Sequence, residues 1–451
     1  MKMRLPPRLL KTFAPVLCLL LAKASFGLDI NYSGSVTAQV GLGLPQTSDN
    51  AGKILKGDIA IENILKAYHK NLTVSAQAIV IGDAAASQSS NGISTFATDN
   101  GFLALKLKEA YVDYNGGFWA LRAGRQIAGW GKADGLQVAD ILCPQDESNA
   151  LASTYKESRQ GIDAIRLSYI NDFMQADAYW IPIFTPSVLP FANANPLHKI
   201  VFPKEYGGFA LTTPKSQGDL DAPSRAIYNS EAAARLSFYF SKFDLSFYGF
   251  YGWEDLPLQT YTATSEDTAI VTGKYERLLM FAVDTAVPMG DFVLRAEAAY
   301  FPERRIQTSA DWQAARQSIG LPFSASKKRC QLRALAGLDW TPAGGWTITA
   351  QYMADIIIAG GSANLDRKRY EHLASLSVEK AFLNDLLTIS ALAFFDLNDF
   401  SSSVEIEAEY SVTDSFKAAL IGNLYFEGRE KGMYGIYKDL SCATLRGKVS
   451  F

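Results

Sequence analysis

Only three side chains in this chain have an ordinary pKa suited to acid–base work near neutrality, and they are scattered: His69, His198 and His372. His372 follows Glu371, and Asp355 sits one predicted strand earlier, so these three form the best constellation for moving a proton. A nucleophile to match is missing. The chain has no Gly-x-Ser-x-Gly elbow and no His-Glu-x-x-His helix. A histidine at a membrane interface is the blander account of His372, and catalysis is the weakest of the functional readings. The sequence calls for no cofactor and no metal.

A different chemistry is carried by charges in rows. Glu405, Glu407 and Glu409 alternate with Val404, Ile406, Ala408 and Tyr410. Arg235 and Ser237 alternate with Ala234, Leu236, Phe238 and Phe240. A period of two puts each set on its own face of a strand. An Arg or Lys at a lipid-facing midplane costs roughly 2–4 kcal/mol, so the charged face must meet water or protein. Reading second faces along the chain collects Arg122, Gln126, Arg166, Arg235, Asp244, Asp284, Arg295, Glu297, Arg333, Asp355, Glu405, Glu407, Glu409, Lys417 and Arg446 as pore-lining candidates, with Asp163 among their neighbours. Opposed charges on facing walls would set an ion preference. The duller account pairs Arg295 with Asp284 or Glu297 to fill and stiffen the interior.

One stretch stands apart: Gly124-Arg125-Gln126-Ile127-Ala128-Gly129-Trp130-Gly131-Lys132-Ala133-Asp134-Gly135, followed by Asp140 and by Pro144-Gln145-Asp146. A predicted strand ends here and a long connection begins, with glycines that permit unusual backbone angles. Such a loop can fold inward, which makes Arg125, Trp130, Lys132, Asp134, Asp140 and Asp146 candidates for a constriction. The competing accounts are an aromatic-girdle anchor for Trp130 and a structural tie between loop and wall for Arg125 and Gln126.

The Gly-Arg-Gln, Trp-Gly-Lys-Ala-Asp-Gly and Pro-Gln-Asp pieces resemble a largely uncharacterised family of bacterial outer-membrane β-barrels, grouped loosely with porins and alginate-export-like channels. The run from Trp180-Ile181-Pro182 to Pro190 and the Arg295–Tyr300 strand are similar to it as well. Cys143 before Pro144 departs from the pattern. The resemblance implies a monomeric barrel of porin-like or unknown role, and it brings no catalytic set.

The elements that must carry these rows are strands. Leu28 to Leu42 alternates for about fifteen residues, longer than a typical soluble strand. The last stretch, Leu440 to Phe451, alternates Ala443, Leu445, Gly447 and Val449 with Thr444, Arg446, Lys448 and Ser450, and stops on an aromatic residue. Between them short and long connections take turns. The short ones fall at His69-Lys70, Asn115-Gly116-Gly117, Asn171-Asp172, Ser241-Lys242, Met289-Gly290, 342–345, Asn384-Asp385 and 413–415. The longer ones fall at about 44–53, 84–101, 130–160, 184–229, 255–273, 303–329, 358–368, 398–402 and 428–438. This sorting is the layout of an all-β, transmembrane antiparallel barrel of roughly 18 strands (16 is the alternative), with short periplasmic turns and long extracellular loops.

Lys2, Arg4, Arg8 and Lys11 followed by the apolar run Phe13 to Ala22 read as a signal peptide over 1–27, leaving 28–451 as the barrel. Three cysteines then remain, Cys143, Cys330 and Cys442, an odd set with no zinc spacing. A disulfide between Cys143 and Cys330 and three unrelated thiols are both open. A net charge of −3 argues against a nucleic-acid surface. The expected partners are outer-membrane lipid, small polar solutes and the barrel-assembly machinery, the last through Phe451. The leading expectation is a porin-like channel for small hydrophilic solutes. Its alternatives are a plugged barrel serving as adhesin or scaffold, with the proline-rich 184–229 loop as lid or cap, and a transporter of hydrophobic compounds.

Overall fold

The computed structural model describes residues 28–45, 50–133, 135–136, 138–149, 155–206, 209–265, 267–429 and 431–451. The expected signal segment 1–27 and Asp134 lie outside the described residues.

Eighteen strands, from Asp29–Gly43 to Cys442–Ser450, each pair antiparallel with their neighbour. The first and last strands pair with each other, Ser35 opposite Ser450 through Gly43 opposite Cys442. The sheet is therefore a closed barrel without a free edge strand, as a wall in lipid requires. A three-residue strand, Thr95–Ala97, adds to the loop-end half of Leu103–Asn115. The connections sort as the turn chemistry implies. At one end, Leu383, Asn384 and Asp385 all take left-handed φ angles of 55–67°, and Gly117 (φ 90°) closes the Asn115 turn.

Alternation gives the wall its two faces. Leu445 and Leu420, paired in register, are 60% and 59% exposed on the outside, while Ala419 and Ile421 are buried. Ile59, Leu167 and Phe281 continue the outer apolar band. Apolar packing is instead concentrated inside the barrel. Trp130, Val138, Ala139 and Leu142 from the connection over 127–161 pack on wall residues Tyr179, Tyr248, Phe250, Met280 and Phe301.

Two expected boundaries move. The connection expected over 303–329 is shorter, because Phe292–Gln307 and Ser326–Trp340 run past Pro302. The register shifts between Phe301 and Arg304, and the ladder resumes with Arg304 opposite Arg329. Proline without an N–H is accommodated at such a bulge instead of ending the strand. Beyond it the helix Ala310–Ser318 is capped by Ser309, whose side chain accepts the Trp312 N–H. The 184–230 connection reaches the inward loop through Val188, whose N–H donates to the Gln145 carbonyl, and Ser187, which accepts the Gln145 N–H. Its Phe184, Leu189, Phe191, Phe202 and Leu220 form a separate cluster with Tyr275 at the loop end.

Candidate functional site

The lumen wall is a set of ion pairs made along the sheet. Arg122 meets Asp113 at 2.6 Å, Arg235 meets Asp177 at 2.5 Å, and Arg295 meets Asp339 at 2.5 Å. Arg333 meets Asp355 at 2.8 Å, Lys417 meets Glu409 at 2.6 Å, and Arg446 holds Glu407. Asn423 donates to Glu405 at 2.8 Å. Arg166 lies opposite Tyr179 on one side and Arg122 on the other. Most partners are one strand apart, so the charges neutralise along the wall. Sequence reasoning placed them across the lumen, because it registers which face a residue takes but not which neighbour it meets.

The connection over 127–161 turns inward and is fastened at its middle. Glu297, from the strand Phe292–Gln307, accepts the backbone N–H groups of Lys132 (3.0 Å), Ala133 (3.1 Å) and Ala139 (2.5 Å). Gly131 lies over the same carboxylate, where a Cβ would come within 2.5 Å of Oε1, and its φ of +78° suits only glycine well. Asp140 accepts the Trp130 N–H at 3.0 Å and holds Arg159. Asp146 pairs with Lys106 at 2.5 Å, and the lysine keeps the buried carboxyl below its usual range despite desolvation. Lys132 reaches Asp244 at 3.7 Å. Trp130 is 3% exposed against Tyr248 and Tyr179, so it is an interior residue and not a girdle anchor.

Several expected placements are corrected. Gln126 is fully buried and donates to the Ala164 carbonyl, so it faces no open space. Arg125 belongs to the wall: it forks onto Asp163, and both stand in the outward phase of Leu121, Ala123, Ile165 and Leu167. Its third contact, to the Ile93 carbonyl, ties down the preceding loop. Asp284 and Glu297 are buried beneath the inward loop, with Tyr248 donating to Asp284. Arg295 binds Asp339 and the Lys132 carbonyl, and neither Asp284 nor Glu297. His372 points away from Glu371: it stacks on Tyr352 and bonds its hydroxyl, while Glu371 pairs with Arg367. Adjacent residues on a strand take opposite faces, so the proton-transfer constellation never assembles. The cysteines are three free thiols.

Two cavities remain between the inward loop and the wall. One, of ≈ 520 Å³, is lined by Leu136, Gln145, Glu147, Arg333, Asp355 and Glu371 among others. The other, of ≈ 330 Å³, is lined by Glu147, Trp253, Asp255, Arg304, Arg305 and Arg367 among others. Gln145, Glu147 and Arg333 line both. Sequence reasoning missed Glu147, Asp255, Arg304, Arg305, Arg367 and Lys106. Glu147 and Asp255 lie in aperiodic connections, and Arg304 and Arg305 lie beyond the bulge. The cluster Glu303-Arg304-Arg305 beyond Pro302 was the available signal.

A family model described as a protein of unknown function (DUF1302) matches residues 46–326. The chain belongs to this family. No curated protein matches it. Among solved structures the chain is similar to OccK8 (OprE) of Pseudomonas aeruginosa, with a TM-score of 0.51 and 8% identity over 94% of this chain and 98% of that one. It is similar to OccAB1 of Acinetobacter baumannii, with a TM-score of 0.50 and 9% identity over 94% and 96% of the two chains. A further likeness, to the outer membrane channel DcaP of Acinetobacter baumannii, has a TM-score of 0.43 and 11% identity over 94% and 97%. These likenesses concern the fold, a closed 18-stranded antiparallel barrel.

Proposed function

We propose that this barrel passes small hydrophilic solutes across the outer membrane by passive diffusion, through a lumen narrowed by the loop over 127–161. The observation that carries this reading is the pair of adjoining cavities between that loop and the charged wall of Arg333, Asp355, Glu371 and Arg304. A lumen meant only to be filled has no need of so many ionisable groups facing open space. In this reading Glu405, Glu407, Glu409, Lys417 and Arg446 line the opposite side of the route. The short turns face the periplasm and the long loops the outside, the barrel works as a monomer, and Phe451 addresses the assembly machinery. The test is single-channel conductance of the refolded mature chain in planar bilayers. Steady, ion-selective steps are expected, and silence from a verified folded barrel rejects the reading.

The apolar packing of Trp130, Val138, Ala139 and Leu142 across the interior favours a second reading, a plugged barrel that acts through its surface loops as adhesin or scaffold. Silence in bilayers, together with binding that disappears when the 184–230 connection is shortened, selects it.

A further inference from the structure

Where the two lumen cavities meet, the wall and the loop are not electrically equal. Each wall arginine there has a carboxylate. Arg304 is held by Glu254 at 2.5 and 2.8 Å, and Arg305 by Glu276 at 3.3 Å. Arg333 and Arg367 share Asp355, at 2.8 and 3.1 Å, and Arg367 also meets Glu371 at 2.7 Å. Four guanidinium groups are thus balanced by Glu254, Glu276, Asp355 and Glu371.

Two further carboxylates face the same space. Glu147 comes from the inward loop and Asp255 from the connection after Trp253, and both line the smaller cavity. Among the described residues no cation or hydrogen-bond donor contacts either side chain, whereas the neighbouring Asp146 has Lys106 and Asp140 has Arg159. Among the described residues lining the two cavities, the carboxylates without a counter-charge in contact are therefore Glu147 and Asp255, and any surplus charge they carry there is negative. A narrow, low-dielectric neck concentrates the field of such a surplus on any ion inside it.

We propose that Glu147 and Asp255 are the charge-selecting residues of this passage and that they favour small cations over anions. The inference rests on the channel reading above and adds to it the sign of the permeant and the residues that set it. The groups facing the pair are Asp140, Cys143 and Asp146 from the loop, Glu254, Arg367 and Tyr434 from other connections, and Glu231, Arg304, Arg305, Arg333, Asp355 and Glu371 from strands. No histidine lines either cavity. Burial and then the charges of Glu231, Glu254 and Glu147 push the Asp255 carboxyl well up, while the Glu147 side chain stays exposed to the cavity. A carboxyl with a raised pKa is neutral at low pH and gains its charge late as pH rises, so cation preference strengthens toward alkaline pH.

The experiment compares native protein with Glu147→Gln, Asp255→Asn and the double variant, by reversal potential under a KCl gradient at several pH values. The native potassium-to-chloride permeability ratio is expected to rise with pH, and in the double variant to fall severalfold and lose that rise. A ratio unchanged in the double variant overturns the inference while leaving the channel reading intact. A second measurement needs no current. A cysteine at Leu258, which lines the smaller cavity, is reacted with a cationic and an anionic thiosulfonate, with the unsubstituted protein as blank. A cationic preference that disappears in the Glu147→Gln/Asp255→Asn background supports the assignment even for a silent barrel, and equal rate ratios in both backgrounds reject it.

Discussion

The carboxylate of Glu297 accepts the backbone N–H of Ala139 at 2.5 Å, across 158 positions of sequence and from the wall to the inward loop. With the N–H groups of Lys132 and Ala133 on the same oxygen pair, one side chain fixes where the inward loop sits. Glu297→Gln keeps the volume but presents an NH₂ to donors that need an acceptor. Hydrogen bonds to a charged group are worth about 1.5–3 kcal/mol. Amide exchange at Lys132, Ala133 and Ala139 is expected to speed up roughly tenfold to hundredfold while the barrel strands keep their protection. Unchanged exchange at these three amides shows that the other ties and the apolar packing hold the loop without Glu297.

Closure of the barrel makes the next prediction. Phe451 and Gly34 exchange backbone hydrogen bonds at 2.9 and 3.0 Å, and the Phe451 ring lies 5.8 Å from that of Tyr32. Removing Phe451 takes away two of the hydrogen bonds that zip the last strand to the first. A lower yield of the heat-modifiable folded form is expected in cells, with a smaller loss on refolding in detergent. Equal yields in cells show that the terminal residue has no part in assembly.

Leu420 tests the outer face. It stands near the middle of the strand Phe416–Phe426, opposite Leu445 and exposed to the surroundings. Leu420→Arg is expected to destabilise the barrel in lipid vesicles by about 2–4 kcal/mol, measured by denaturant titration. Arginine at Glu409, which faces the wet side beside Lys417, carries no lipid penalty and serves as the control for register.

Asp355 sits between two guanidinium groups, with Gln331 donating to it at 2.5 Å. Asp355→Asn leaves Arg333 and Arg367 facing each other without their shared anion. Breaking a buried pair this way costs about 3–5 kcal/mol, and the reversal potential should shift toward anions. Adding Arg333→Gln is expected to restore much of both. Independent, additive effects of the two substitutions contradict the coupling.

The thiol of Cys143 lies outside the strands, buried in the packing between the inward loop and the wall, and burial pushes it up to about 12. At pH 8 the reactive thiolate is therefore scarce there. Cys143 is expected to resist alkylation in the folded barrel and to react at once in denaturant. Rapid labelling under native conditions at pH 8 means the loop opens far more often than its contacts imply.

The architecture was largely legible because it depends on periodicity and turn chemistry, and both are local. The alternation around Arg235 and Glu407 predicts their face, and Asn115-Gly116-Gly117 predicts its turn. What was not legible depends on contacts distant in sequence. Nothing near Glu297 signals that it binds the backbone 158 positions earlier, so it read as a pore liner. Gln126 and Asp284 failed in the same way, since an inward face says nothing about whether a loop then covers it. Pro302 read as a strand end because the bulge that tolerates it leaves no period. Glu147 and Asp255 sit in connections without any pattern, and only the folded loop brings them to one cavity.

The position of the Glu297 anchor also bears on how such a barrel diversifies. Because the loop is fixed at Lys132, Ala133 and Ala139, its upstream half has its geometry set by the wall. The stretch carrying Gln145 and Glu147 lies downstream of that fixed point, before the chain returns to the wall at Ile162. Within that stretch Asp146 is tied to Lys106, and Gln145 to Ser187 and Ser158, whereas among the described residues the Glu147 side chain carries no such tie. Replacement of that one side chain can therefore change the lining of the two cavities in small steps while the ties that seat the loop are kept.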